Sequence, residues 1–169
     1  MNAVTSAPPR GRTHVAPLLV VLWLLRLLTA AGLAIDAYVH VDLAPSYDPI
    51  KATVSQGDLF RAEAAAAALA ALLLLTLRRH LTAWLLALAV ALAGVAAVLL
   101  YRYVDVGAIG PLPNMYEPFW YPEKTMSAIA EGAAALTALA GLLIARHQLP
   151  RRGAGPCSGN PGGRNASSG

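Results

Sequence analysis

Four apolar runs, each about as long as a bilayer is thick, leave this chain few ways to fold. They lie at about 16–41, 58–77, 81–101 and 125–145. At 1.5 Å per residue, a helix of about 20 residues crosses a hydrocarbon core of about 30 Å. The second and third runs, LFRAEAAAAALAALLLLTL and LTAWLLALAVALAGVAAVLLY, are apolar around most of a helical circumference. Such a helix has no face to offer water. Composition agrees: 57% of the 169 residues are hydrophobic and 13% charged, about half the charge of an ordinary soluble domain. The expected fold class is therefore all-α, a four-helix transmembrane bundle occupying residues 16–146. Arms at 1–15 and 147–169, rich in Pro, Gly, Ser and Arg, read as disordered.

Charge placement predicts the orientation. Arg10, Arg12, Arg78, Arg79, Arg146, Arg151, Arg152 and Arg164 fall on one side of the bundle, and all nine acidic residues fall on the other or within the segments near it. Excess Lys and Arg marks the cytoplasmic side, so both termini are expected inside (N-in/C-in). The net charge of +4 thus reads as membrane topology and not as a nucleic-acid footprint. A signal peptide is the rival reading of the first run. Its apolar stretch exceeds the usual 7–15 residues, and a retained helix is expected. Cys157 stands alone, which excludes chemistry that pairs cysteines within one chain. Abundant Ala, Leu, Gly and Arg suggest a GC-rich, bacterial genome.

Ionisable residues within such helices are costly and are functional hypotheses by default. Asp36, Glu63 and Glu131 each lie five or six residues inside the outer end of a helix, roughly 7–9 Å below it. His40 sits one turn from Asp36 on the same face. With Arg26, Arg61 and Arg102 these residues form a candidate polar layer. One reading is that interhelical ion pairs lock the bundle, with Arg61 neutralising Asp36 or Glu131 and Arg26 bound to a backbone carbonyl. A second is an exchangeable proton or cation site. A metal site on His40, Asp36 and Glu63 is weaker, because a single histidine specifies little, and no metal ligands are assigned. Small residues share a face with Glu131 on the fourth run (Ser127, Ala134, Ala138, Gly141) and recur on the third (Ala87, Ala91, Gly94), so close helix packing is expected there.

Between the third and fourth runs, GPLPNMYEPFWYPEK interleaves prolines with aromatic residues. Tyr116, Glu117, Trp120, Tyr121 and Glu123 form a candidate docking surface on what otherwise reads as an interfacial lid. No phosphate-binding loop, dinucleotide fingerprint or nucleophile elbow occurs, and no catalytic residue is assigned.

The four helices and the stretch LRLLTAAGLAIDAYVH, with a histidine near the end of the first helix, resemble the DoxX-like small membrane proteins. That resemblance implies a quinone-linked or redox-accessory role and draws attention to Arg26 and His40. The expected function is an accessory or binding subunit of a membrane redox or envelope complex, in the cell membrane, with a quinone as the cofactor implied. Its partners are the bilayer, a second copy or a membrane-complex subunit, and no nucleic acid. A small proton, cation or solute transporter is the alternative, and a membrane enzyme ranks behind both.

Overall fold

A computed structural model describes residues 15–78 and 80–148. The arms assigned above to 1–15 and 147–169 lie, but for Val15, His147 and Gln148, outside the described residues. Four helices make up the fold: α1 (Val15–Tyr47), α2 (Gln56–Thr76), α3 (Leu81–Tyr103) and α4 (Pro122–His147). Among the described residues there is no strand, only two isolated bridges, Lys51 to Ser55 and Ile109 to Leu112. All four helices are long and apolar enough to cross a membrane. Their outer faces carry the large side chains a lipid environment accepts, among them Leu72, Leu136 and Ile129.

Helix α1 packs against both α2 and α4, and α3 packs mainly on α4, so α1 and α3 stand diagonally opposed. The core shared by the four helices is built largely of small residues. Ala67, Ala70, Ala87, Ala134 and Ala138 are completely buried, as are Leu33, Leu74 and Trp84. Dispersion between closely approaching backbones holds such a bundle, because lipid supplies no hydrophobic drive between helices. The small-residue faces read from α3 and α4 are the ones buried: Ala91 and Gly94 on α3, Ser127 and Gly141 on α4. Gly141 is required by its neighbour, since a Cβ there would fall inside the indole of Trp84. A hydrogen bond crosses from α1 to α4 at Thr29 and Thr137, whose hydroxyl oxygens are 2.8 Å apart. Thr137 spends its own proton on the Ala133 carbonyl, so Thr29 is the donor.

Three helix boundaries differ from expectation. Helix α1 continues past 41 to Tyr47 with Pro45 in its last turn. Proline costs most in a helix interior; near the end, packing of Ala44, 1% exposed, outweighs it. Asp58 does not begin α2. Ser55 is the N-cap, and its hydroxyl accepts from the Asp58 N–H at 3.0 Å. Asp58 reaches back to the Ser55 N–H, completing a capping box that satisfies two otherwise orphaned donors. Helix α4 starts at Pro122, a residue pre-set for the first helical position; its polar first turn hides the start from a hydropathy reading.

Candidate functional site

Asp36 on α1 and Glu131 on α4 face one another across the bundle, each 1% exposed. Ser127, one turn before Glu131, lies between them. Its hydroxyl is 2.6 Å from Asp36 Oδ1 and 3.3 Å from Glu131 Oε1, so its single proton goes chiefly to Asp36. His40 Nδ1 lies 2.9 Å from the same Asp36 Oδ1. The other oxygen of each acid, Asp36 Oδ2 and Glu131 Oε2, is buried without a hydrogen-bond partner. Gly94 on α3 makes room for this group: a Cβ there would meet the Glu131 carboxylate.

Beside the cluster is a cavity of about 260 Å³, lined by His40, Glu63, Gly94, Tyr101, Lys124 and Ser127, with Leu43, Leu59, Phe60 and Val98 among its apolar walls. Glu63 enters from α2, and its Oε1 is also buried and unpartnered. Phe60 stands edge-on to the His40 ring, their centroids 5.1 Å apart. Of the three carboxylates expected at one level, Glu63 lines the cavity, and Asp36 and Glu131 meet beside it at Ser127.

Arg61, expected to neutralise Asp36 or Glu131, is elsewhere, and so are Arg102 and Arg26, the last bound to backbone carbonyls as expected. Arg61 forks onto Asp48, at 2.7 and 2.8 Å, and holds that exposed carboxyl below its ordinary range. Arg102 lies over the rings of Tyr103 and Trp120, at 5.0 and 5.8 Å. Arg26 is ten residues from Asp36, about 15 Å along α1, at the opposite end of the bundle. There it donates to the carbonyls of Leu74 and Arg78 and stacks on Trp84 at 4.9 Å. Among the described residues no Lys or Arg forms an ion pair with Asp36, Glu63 or Glu131. Among the described residues His40 is the base beside Asp36, and it is charged only when protonated. The interhelical Lys/Arg ion-pair lock therefore has no counterpart here.

The 104–121 loop closes the cavity from above, and two of the five residues singled out as a docking surface turn inward. Tyr47, at the end of α1, donates to Glu117, 3.0 Å from each carboxylate oxygen. The Tyr121 hydroxyl is 2.8 Å from that of Tyr47. Burial, and then hydrogen bonding with Tyr47, push the Tyr121 phenol well above its ordinary 10.0. Lys124 donates to the Glu117 carbonyl at 2.7 Å and pairs with its carboxylate at 3.7 Å. Glu117 and Tyr121 thus fasten the lid to α1 and α4. Tyr116 and Trp120 remain exposed, and Glu123 belongs to the first turn of α4.

Sequence reasoning did not single out Tyr47 or Lys124. It took Ser127 and Gly94 as packing residues only. Ser127 lies four before Glu131 and was legible as its neighbour; the contact with Asp36, across 91 positions, was not. The fold and composition define a helical protein built to sit in a membrane. Compared with known proteins, the chain matches no family model, no curated protein and no solved structure.

Proposed function

We propose that the protein is a multi-pass binding protein of the cell membrane, an accessory subunit that takes up the head group of a lipid-soluble molecule beneath the 104–121 loop. One observation carries this reading: the cavity of about 260 Å³ has apolar walls from α1, α2 and α3 and ends on His40, Glu63 and Ser127. Sites for small molecules combine apolar walls with a few convergent polar groups and start at roughly 300 Å³. A single substituted ring suits that size, with an apolar tail left to the bilayer. A quinone has this form and is the ligand the resemblance to DoxX-like proteins implies. The topology that accompanies this reading puts the termini and Arg78 in the cytoplasm and the lid on the far side, following the arginine excess.

The test is to purify the full chain in mild detergent, extract it with organic solvent and identify what co-purified by mass spectrometry. A quinone or other ring-headed lipid is expected in the wild-type extract and absent after Val98→Trp, which fills the cavity, while helicity is kept. An empty wild-type cavity, or equal retention in Val98→Trp, would count against the reading. Proton transfer is a second reading. It is favoured by the meeting of Asp36 and Glu131 at one serine hydroxyl, and proteoliposomes that acidify no faster than empty vesicles would remove it.

A further inference from the structure

The cluster at the side of the cavity has an unbalanced charge and an unused set of ligands. Asp36, Glu63 and Glu131 face one imidazole, with every described Lys and Arg engaged elsewhere or out of ion-pair reach. Buried charges persist only when paired or when they coordinate a metal. Protonation alone solves half of the problem. A proton shared between the facing Asp36 and Glu131 carboxyls would link the two acids, yet as carboxylate oxygens Asp36 Oδ2 and Glu131 Oε2 have no donor.

The hydrogen bonds that do exist fall on the other oxygens. Ser127 holds Asp36 through Oδ1 and reaches Glu131 through Oε1, while His40 Nδ1, 2.9 Å from the same Asp36 oxygen, would give up any hydrogen there to ligate an ion. Each acid is therefore oriented by one oxygen and left with the second bare. Outer-sphere hydrogen bonds do this at metal centres, where they aim the ligating carboxylate. One ligand atom each from Asp36, His40 and Glu131 lies within 4.8 Å of the others. Bonds of about 2.0–2.2 Å would draw these three atoms closer together around an ion.

We propose that Asp36, His40 and Glu131 form a binding site for a divalent first-row transition-metal ion. Two carboxylates balance the ion's charge, so the loaded site is neutral within the bundle. One imidazole and two carboxylates suit manganese, iron or zinc, and three protein ligands leave a coordination position open. The cavity borders the same residues, His40 and Ser127, and provides the route in. Sequence reasoning grouped His40 and Asp36 with Glu63; the fold supplies Glu131 from α4 in its place. The site stands apart from the head-group reading, since it needs no organic ligand.

The experiment uses the full chain in detergent, stripped with a chelator and titrated with manganese(II) or zinc(II) alone. Wild type is expected to take up one ion per chain by elemental analysis. Bound manganese should show nitrogen coupling in pulsed electron paramagnetic resonance. Asp36→Asn, Glu131→Gln and His40→Gln should each weaken binding by about 10–100-fold or more, and His40→Gln should remove the nitrogen coupling. Replacing His14, His80 and His147 together should change neither. A folded wild type that takes up no ion overturns the proposal without recourse to any variant. So does uptake that survives Asp36→Asn with Glu131→Gln, or bound manganese without nitrogen coupling. A failed metal titration with a quinone still in the extract would remove this site and leave the head-group reading standing.

Discussion

Arg26 is the sharpest place to test the division between structural and functional charges. Leu74 is near the end of α2, and the N–H four residues on, at Arg78, turns instead to the Thr76 carbonyl. The Leu74 carbonyl is then an orphan that Arg26 satisfies, and the guanidinium fork takes the Arg78 carbonyl as well. Two hydrogen bonds from a charged donor are worth about 1.5–3 kcal/mol each, and the stacking on Trp84 adds about 0.5–2 kcal/mol. Against this stands the cost of keeping arginine in the membrane, about 2.5–3.5 kcal/mol. Arg26→Met removes both sides of the balance, and a gain of about 3.5–8 kcal/mol set against that cost leaves a loss centred near about 3 kcal/mol. Arg26→Lys keeps the charge but gives up the fork, since one ammonium cannot serve both carbonyls with the same geometry. Losing one such bond costs about 1.5–3 kcal/mol with no relief, so the conservative change should be destabilising as well, by a comparable amount. Equilibrium unfolding in mixed micelles measures both, and amide exchange over the last turn of α2 should quicken in both. Wild-type stability in Arg26→Lys would refute the reasoning. Metal uptake and cavity occupancy should be unchanged in any folded Arg26 variant.

Gly141→Leu should destabilise the bundle by about 1–3 kcal/mol, the usual penalty of overpacking. Trp84 borders a second cavity of about 460 Å³, so the indole has room to move and the cost should stay in that range; the fluorescence of Trp84 should shift with it. Tyr121 should fail to ionise near its ordinary 10.0 in a near-ultraviolet titration of the folded chain. Its raised pKa stabilises the fold at and below that value, and the contribution is lost as pH rises through the raised one. Tyr121→Phe should lessen this alkaline loss, and a tyrosine count that titrates fully in the ordinary range would contradict the buried network.

The helices were legible because length and hydropathy are local properties. The positions from Leu81 to Tyr101 could hardly be anything else, and the seams at Ala87, Ala91, Ala134 and Ala138 followed from spacing. Boundaries were less legible where polar side chains carried the signal, as in the capping box at Ser55 and the proline start of α4. Of the polar layer, depth along each helix placed Asp36, Glu63 and Glu131 at one level, because rise per residue converts position into height. Height says nothing about rotation or partners. Arg61 was placed near the right surface and given the wrong partner. It reaches Asp48 in the α1–α2 loop, and a loop's course is invisible to a helical ruler.

The sequence by itself determined four membrane-length helices, the small-residue faces between them and the depth of the buried acids. Each is set by neighbours within a few positions along one helix. Only the tertiary structure decided which acid meets which. It brought Asp36 to Glu131 through Ser127, put Gly94 against them, carried Arg26 away to cap α2 and folded Glu117 and Tyr121 inward onto Tyr47. Those outcomes depend on how each helix is rotated about its axis and which helix stands beside it. The packing of whole faces sets that rotation, and no single segment contains it.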